Sequence, residues 1–91
     1  MQPLVTLAGY RLLRQIGHGA TGAVHLAEQE ATQRVVALKV VALPAGPTRA
    51  AAGTQFLEAA SAAGRLQHPH IVRVYEAGLL GDVAWLAMEP V

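Results

Sequence analysis

The feature that most constrains the fold is a nearly continuous apolar run, RVVALKVV, at residues 34–41. Its β-branched side chains favour a buried strand. One lysine, Lys39, interrupts the run and has seven apolar neighbours within residues 35–42. A lysine in such a place is costly unless it meets an anion, although it could also reach solvent from an edge strand. We therefore expect a buried strand that carries one functional cation.

The rest of the chain predicts further strands and one helix. Residues 42–53 contain two prolines and two glycines, which predict a loop, and the alanine-rich stretch from Thr54 to about Leu66 predicts a helix with Thr54 as its N-cap. The predicted strands are 10–16, 22–28, 34–41, 71–76 and 83–88, with turns at 29–33 and at Gly81-Asp82. This order, β-β-β-α-β-β, predicts an α+β fold in which a five-stranded antiparallel sheet carries one main helix.

Composition narrows the class of protein. The 91 residues suit one small domain or a piece of a larger one, and 53 % hydrophobic content with 14 % charged residues disfavours disorder. A net charge of +1 without a basic stripe disfavours nucleic-acid binding. There is no cysteine, and His68-Pro-His70 has no third ligand nearby, so no metal site is expected. No signal peptide or membrane span is evident, and we expect a cytoplasmic protein.

Residues 17–24 read GHGATGAV, a G-x-G-x-x-G pattern typical of loops that approach phosphate. The dinucleotide-binding version needs a following helix and an acid about 20 residues on, and the P-loop version needs G-K-[ST]. Neither context is present. A third version lies in a hairpin, extends to G-x-G-x-x-G-x-V, and precedes a strand with V-A-I-K. Here Val24 and then Val36-Ala37-Leu38-Lys39 match it. The alternative is that the glycines serve only turns.

The chain resembles the N-terminal lobe of a Hanks-type protein kinase, most like the bacterial serine/threonine kinases. The stretches that carry the resemblance are YRLLRQIGHGATGAVHLA, VVALKVV, LQHPHIVRVYEAG and LAMEPV. Residues 1–9 are then an N-terminal extension, and residues 10–91 are a partial kinase domain that ends at the hinge between lobes.

The resemblance implies an ATP site. The glycines would cover the phosphates, Lys39 would hold the α- and β-phosphates, Val24 and Ala37 would lie over the adenine, and Met88 would close the back of the pocket. Backbone groups of Glu89 and Val91 would read the adenine edge. The implied ATP-binding residues are Ile16, Gly17, Gly19, Gly22, Val24, Ala37, Lys39, Met88, Glu89 and Val91.

The helix departs from the family pattern. In the family, a glutamate on this helix pairs with the strand lysine. Counted back from Leu66, its place is Ala59, and the nearby acid is Glu58. One residue turns a helix by about 100°, so Glu58 pairs with Lys39 only if the helix–strand loop is one residue longer here. Otherwise Glu58 is a solvated acid near the start of the helix.

The residues for phosphoryl transfer are missing from these 91 positions. Neither H-R-D-x-x-x-x-N nor D-F-G occurs, and the one aspartate, Asp82, lies in a predicted turn. Mg²⁺ and the protein substrate would therefore need the second lobe, and we expect the 91-residue piece alone to be inactive. Two alternatives stay open: a non-catalytic, pseudokinase-like or regulatory lobe that binds a partner, and an unrelated small α+β domain.

Overall fold

The structure, a computed structural model, describes residues 6–19, 22–65 and 74–90. Its strands and helix, in chain order, are β1 Thr6–Leu7, β2 Tyr10–Gly19, β3 Gly22–Gln29, β4 Val35–Ala42, α1 Arg49–Arg65, β5 Val74–Leu80 and β6 Val83–Met88. The strands form one antiparallel sheet in the order β1-β2-β3-β4-β6-β5. The predicted fold class is confirmed, and the sheet has one strand more than predicted.

The additional strand, β1, lies in the segment predicted as an extension. It pairs with the start of β2 through a tight turn in which Ala8 has φ 51° and Gly9 has φ 85°. Two positive φ values match the twist of a two-residue hairpin, but an alanine there is no turn signal. The domain boundary at residue 10 stays a prediction, and the sheet reaches back to Thr6.

The helix begins earlier than predicted, at Arg49 instead of Thr54. Thr54 is not its N-cap, because the Thr54 hydroxyl donates a 3.0 Å hydrogen bond to the Ala50 carbonyl inside the helix. Gly53, which suggested a loop, is buried against strand β5. A Cβ there would lie 3.0 Å from Leu79 Cδ1. The glycine thus lets the helix approach the sheet, which offsets its low helix propensity.

One face of the curled sheet carries the main core. The cluster of buried residues consists of Tyr10, Ala27, Val36, Leu38, Trp85 and Ala87. The rings of Tyr10 and Trp85 lie 5.5 Å apart at 56°, and the Tyr10 hydroxyl donates a hydrogen bond to the Glu76 carboxylate on β5. Strands β2 and β5 are not neighbours in the sheet, so this contact links two of its distant strands across the core.

Candidate functional site

The residues of strand β4 alternate between the two faces of the sheet. Val36 and Leu38 point into the core, so Ala37 and Lys39 lie on the opposite face. Lys39 is half-buried there. It is also the sole lysine of the chain.

Strand register places other predicted site residues around Lys39. Lys39 lies opposite Val24 on β3 and Leu86 on β6, and Val24 in turn lies opposite Gly17 on β2. Directly opposed residues share a face, so these four positions form one row across the sheet. Ala37 and Met88 are opposed in a second row on the same face, with Leu26 on the other side of Ala37.

Helix α1 covers part of this face. Lys39 and Leu86 from the sheet, together with Phe56, Ala59 and Ala60 from the helix, line a cavity of about 280 Å³. The helix residues are spaced i, i+3 and i+4, so they share one side of α1. Apart from the lysine, the cavity is lined by apolar side chains.

The glycines of the hairpin between β2 and β3 are not equivalent. A Cβ added at Gly17 or Gly19 would meet no atom within 4 Å, whereas one added at Gly22 would overlap the Val40 carbonyl oxygen. Gly17 and Gly19 therefore border open space, and Gly22 is needed for backbone packing on β4. The hairpin tip, residues 20–21, lies outside the described residues.

The remaining predicted site residues lie next to Gly17 on β2 and at or after the end of β6. Ile16 is 45 % exposed in strand β2, one position before Gly17. Met88 ends strand β6 and is half-buried, Glu89 follows it and is exposed, and Val91 lies outside the described residues. Predictions for their roles toward a nucleotide stay predictions.

Glu58 does not face Lys39. Glu58 and the next residue, Ala59, are both exposed, but Ala59 lines the cavity that contains the lysine and Glu58 does not. Among the described residues, the one ion pair joins Arg11 to Glu28. The pairing of Glu58 with Lys39 stays a prediction, and this geometry favours the alternative in which Ala59 holds the position beside the lysine.

Three residues that line the Lys39 cavity, namely Leu86, Phe56 and Ala60, were missed from the sequence. Leu86 could have been found from alternation, because Trp85 and Ala87 lie in the core and Leu86 must then share the face of Met88. Phe56 falls within the predicted helix, and its place near Lys39 depends on how α1 docks. Of the four histidines, His18 and His25 are described, and no group of three or more potential metal ligands occurs in the described residues.

The strongest electrostatic perturbation lies away from this face. Burial raises the pKa of the Tyr10 phenol above its ordinary 10.0, and the hydrogen bond and charge of Glu76 raise it further, while the charge of Arg34 opposes them. Tyr10 belongs to the core contact between β2 and β5, so we assign it a structural role.

Comparison with protein families identifies the class of protein. The family model described as "Protein kinase domain" matches residues 10–91. The chain therefore belongs to the protein kinase domain family, and its sheet and helix are the N-terminal lobe of that fold.

Individual relatives are bacterial serine/threonine-protein kinases. The chain is 38 % identical to PknF of Mycobacterium tuberculosis over 87 residues, covering 92 % of this chain and 17 % of PknF. It is 37 % identical over 82 residues to the probable serine/threonine-protein kinase pknA2 of Bifidobacterium longum, covering 88 % of this chain and 11 % of that protein. The chain thus spans less than a fifth of the length of these relatives.

A solved structure agrees with the fold. The kinase domain of Mycobacterium tuberculosis PknI, crystallised as a double mutant, superposes with a TM-score of 0.72 at 34 % identity, covering all of this chain and 36 % of that one. Within the described part of the chain, no helix has the length and apolar character needed to cross a membrane.

Proposed function

We propose that the chain is the ATP-binding lobe of a cytoplasmic serine/threonine protein kinase, which in the complete protein transfers the γ-phosphoryl group of ATP to serine or threonine of a protein substrate. The observation that carries the proposal is the shared face of Val24, Ala37, Lys39 and Met88, three apolar positions around one cation, with Gly17 at the end of the same row. The names of the relatives support the choice of serine/threonine kinase.

The residues suit a nucleotide in kind and position. Val24, Ala37 and Met88 offer apolar surface for a flat base, and Lys39 offers a cation for phosphates. Gly17 and Gly19 leave open space, so a phosphate chain can come close to the hairpin backbone. ATP supplies the transferable phosphoryl group, and this lobe binds and orients it.

Transfer itself needs groups that these 91 residues lack. A kinase requires a catalytic base and carboxylates for Mg²⁺. Asp82 is exposed in the turn between β5 and β6, and it is the one aspartate of the sequence. We therefore propose that these 91 residues alone are inactive and that Mg²⁺ binds only when the second lobe is present.

Calorimetric titration of the full-length protein with ATP and Mg²⁺, beside an assay of phosphate transfer to protein, tests the proposal. Lys39→Met should weaken ATP binding by at least about tenfold, because a charge-assisted contact to phosphate is lost. Arg34→Met is the matched control, since Arg34 lies over the Tyr75 ring, 4.4 Å from its centroid, and not at the Lys39 face. Arg34→Met should bind ATP as tightly as the unmodified protein. If Lys39→Met binds equally tightly, the proposal is wrong.

A second function is favoured by one observation. Because Ala59 instead of an acid faces Lys39, the lobe also fits a non-catalytic, pseudokinase-like or regulatory module. The same assay separates the two functions: a module of this kind shows no phosphate transfer in the full-length protein, whether or not ATP binds.

A further inference from the structure

Among the described residues, no acidic side chain lies beside Lys39. The sequence contains six acidic residues, and all of them are in the described part: Glu28, Glu30, Glu58, Glu76, Asp82 and Glu89. None lines the cavity that contains Lys39. Glu28 is paired with Arg11, and Glu76 accepts the hydrogen bond of Tyr10. The other four acids are exposed.

The orientation of α1 explains why Glu58 stays away. Phe56, Ala59 and Ala60 line the Lys39 cavity, and Leu57, Ala60 and Ser61 line a second cavity against strand β5. At about 100° per residue, Glu58 lies roughly 160° around the helix from Phe56. Glu58 therefore lies on neither of the two sides of α1 that line cavities against the sheet. Turning Glu58 toward Lys39 would withdraw Phe56 and Ala59 from their contacts.

We propose that Lys39 works without a carboxylate partner from α1, and that the phosphates of the bound nucleotide are its counter-anion. Ala59 keeps the helix side of the lysine apolar. This inference rests on the proposed function and concerns the charge balance of the same site. It predicts that affinity depends steeply on the number of ligand phosphates, because no acidic residue among those described lines the cavity with Lys39. It also predicts that Glu58 contributes nothing to nucleotide binding.

A double-mutant cycle on the full-length protein tests this directly. ATP affinity is measured for the unmodified protein, Glu58→Gln, Lys39→Met and the double variant. We expect Glu58→Gln to change affinity by less than about twofold, as for an exposed and unpaired charge. We expect the double variant to match Lys39→Met. Glu30→Gln is the matched control, an exposed acid in the turn after β3.

The inference is overturned if Glu58→Gln weakens ATP binding as strongly as Lys39→Met and the double variant loses no more than either single variant. That result would show that Glu58 and Lys39 act together in nucleotide binding. The failure of the proposed function looks different. In that case Lys39→Met itself leaves ATP affinity unchanged, whatever Glu58→Gln does.

A gain-of-charge variant provides a second measurement. Ala59→Glu places a carboxylate at the wall of a cavity of about 280 Å³ that Lys39 also lines. If Lys39 has no partner on α1, the new carboxylate should form an ion pair that is absent now, so the effect of Ala59→Glu on ATP affinity should differ several-fold between the protein with Lys39 and the Lys39→Met variant. Glu58 is unchanged in this variant. Equal effects in the two backgrounds, in variants that still fold and bind ATP, would contradict the inference, because position 59 would then not lie beside the lysine.

Discussion

The two faces of strand β4 differ in how they are filled. On one face, Val36 and Leu38 are almost completely buried and pack in the cluster with Tyr10 and Trp85. On the other face, Lys39 lines a cavity, and open space borders Gly17 in the same row. The first face holds the packed core. On the second face, the described residues place no acidic side chain beside Lys39.

This difference indicates that one face of β4 stabilises the fold and leaves the other face for the proposed ligand. Alternation sends neighbouring residues to opposite faces, so a stabilising residue and a ligand-binding residue can be adjacent in sequence. Stability and binding should therefore respond to different substitutions. Three predictions test how complete that separation is.

The largest expected effect comes from the packed face. Leu38 is fully buried, so Leu38→Ala should lower the free energy of unfolding by about 3 kcal/mol, through lost burial and the cavity left behind. Leu86→Ala is the control on the opposite face, where the side chain already borders a cavity, and it should cost clearly less. Denaturant titration of the full-length protein measures both losses. Equal losses would show that the Lys39 face is as tightly packed as the core.

The glycines of the hairpin offer the next test. Gly22→Ala should cost about 2 kcal/mol, because its Cβ would overlap the Val40 carbonyl oxygen and the backbone must shift. Gly17→Ala meets open space, so it should change stability by less than about 0.5 kcal/mol. We expect Gly17→Ala instead to weaken ATP binding. Thermal unfolding measures the loss of stability, and calorimetric titration measures the loss of ATP affinity. A large loss of stability in Gly17→Ala would show that Gly17, like Gly22, is needed for packing.

The strands could be predicted because their signals are local. The run at residues 34–41 and the stretch VAWLAM both became strands close to the expected bounds, β4 and β6. Their β-branched and alternating side chains suit a sheet wherever the sheet is formed. Trp85, within the second of these stretches, is buried in the core. The sequence did not reveal that Leu86 would lie opposite Lys39, since strand register depends on the whole sheet.

The errors occurred where packing overrides local signals. Gly53 and the nearby prolines predicted a loop, but Gly53 fits against Leu79 and the helix extends back to Arg49. Strand β1 escaped notice because Ala8, with φ 51°, is not a residue that marks a tight turn. The choice between Glu58 and Ala59 was similarly undecided, because a helix sequence does not say which side docks on the sheet.

The smallest expected effect concerns the contact that links β2 to β5. Tyr10→Phe removes the hydrogen bond to Glu76 and should cost about 1 kcal/mol at neutral pH. Burial raises the pKa of Tyr10 in the folded protein above its ordinary 10.0. Below about pH 10 the phenol is neutral in both states, so its contribution is fully present. As pH rises further, the unfolded chain loses this proton first, and folding becomes less favourable.

Unfolding free energies at about pH 8 and about pH 11 measure this effect, with the unmodified protein and Tyr10→Phe compared under the same conditions. The unmodified protein should lose more stability between the two pH values than the variant, because Phe has no proton to lose. Other groups that titrate in this range are common to both proteins and cancel in the comparison. Equal losses would mean that Tyr10 titrates alike in the folded and unfolded states, and that the packed face does not hold its phenol in the neutral form.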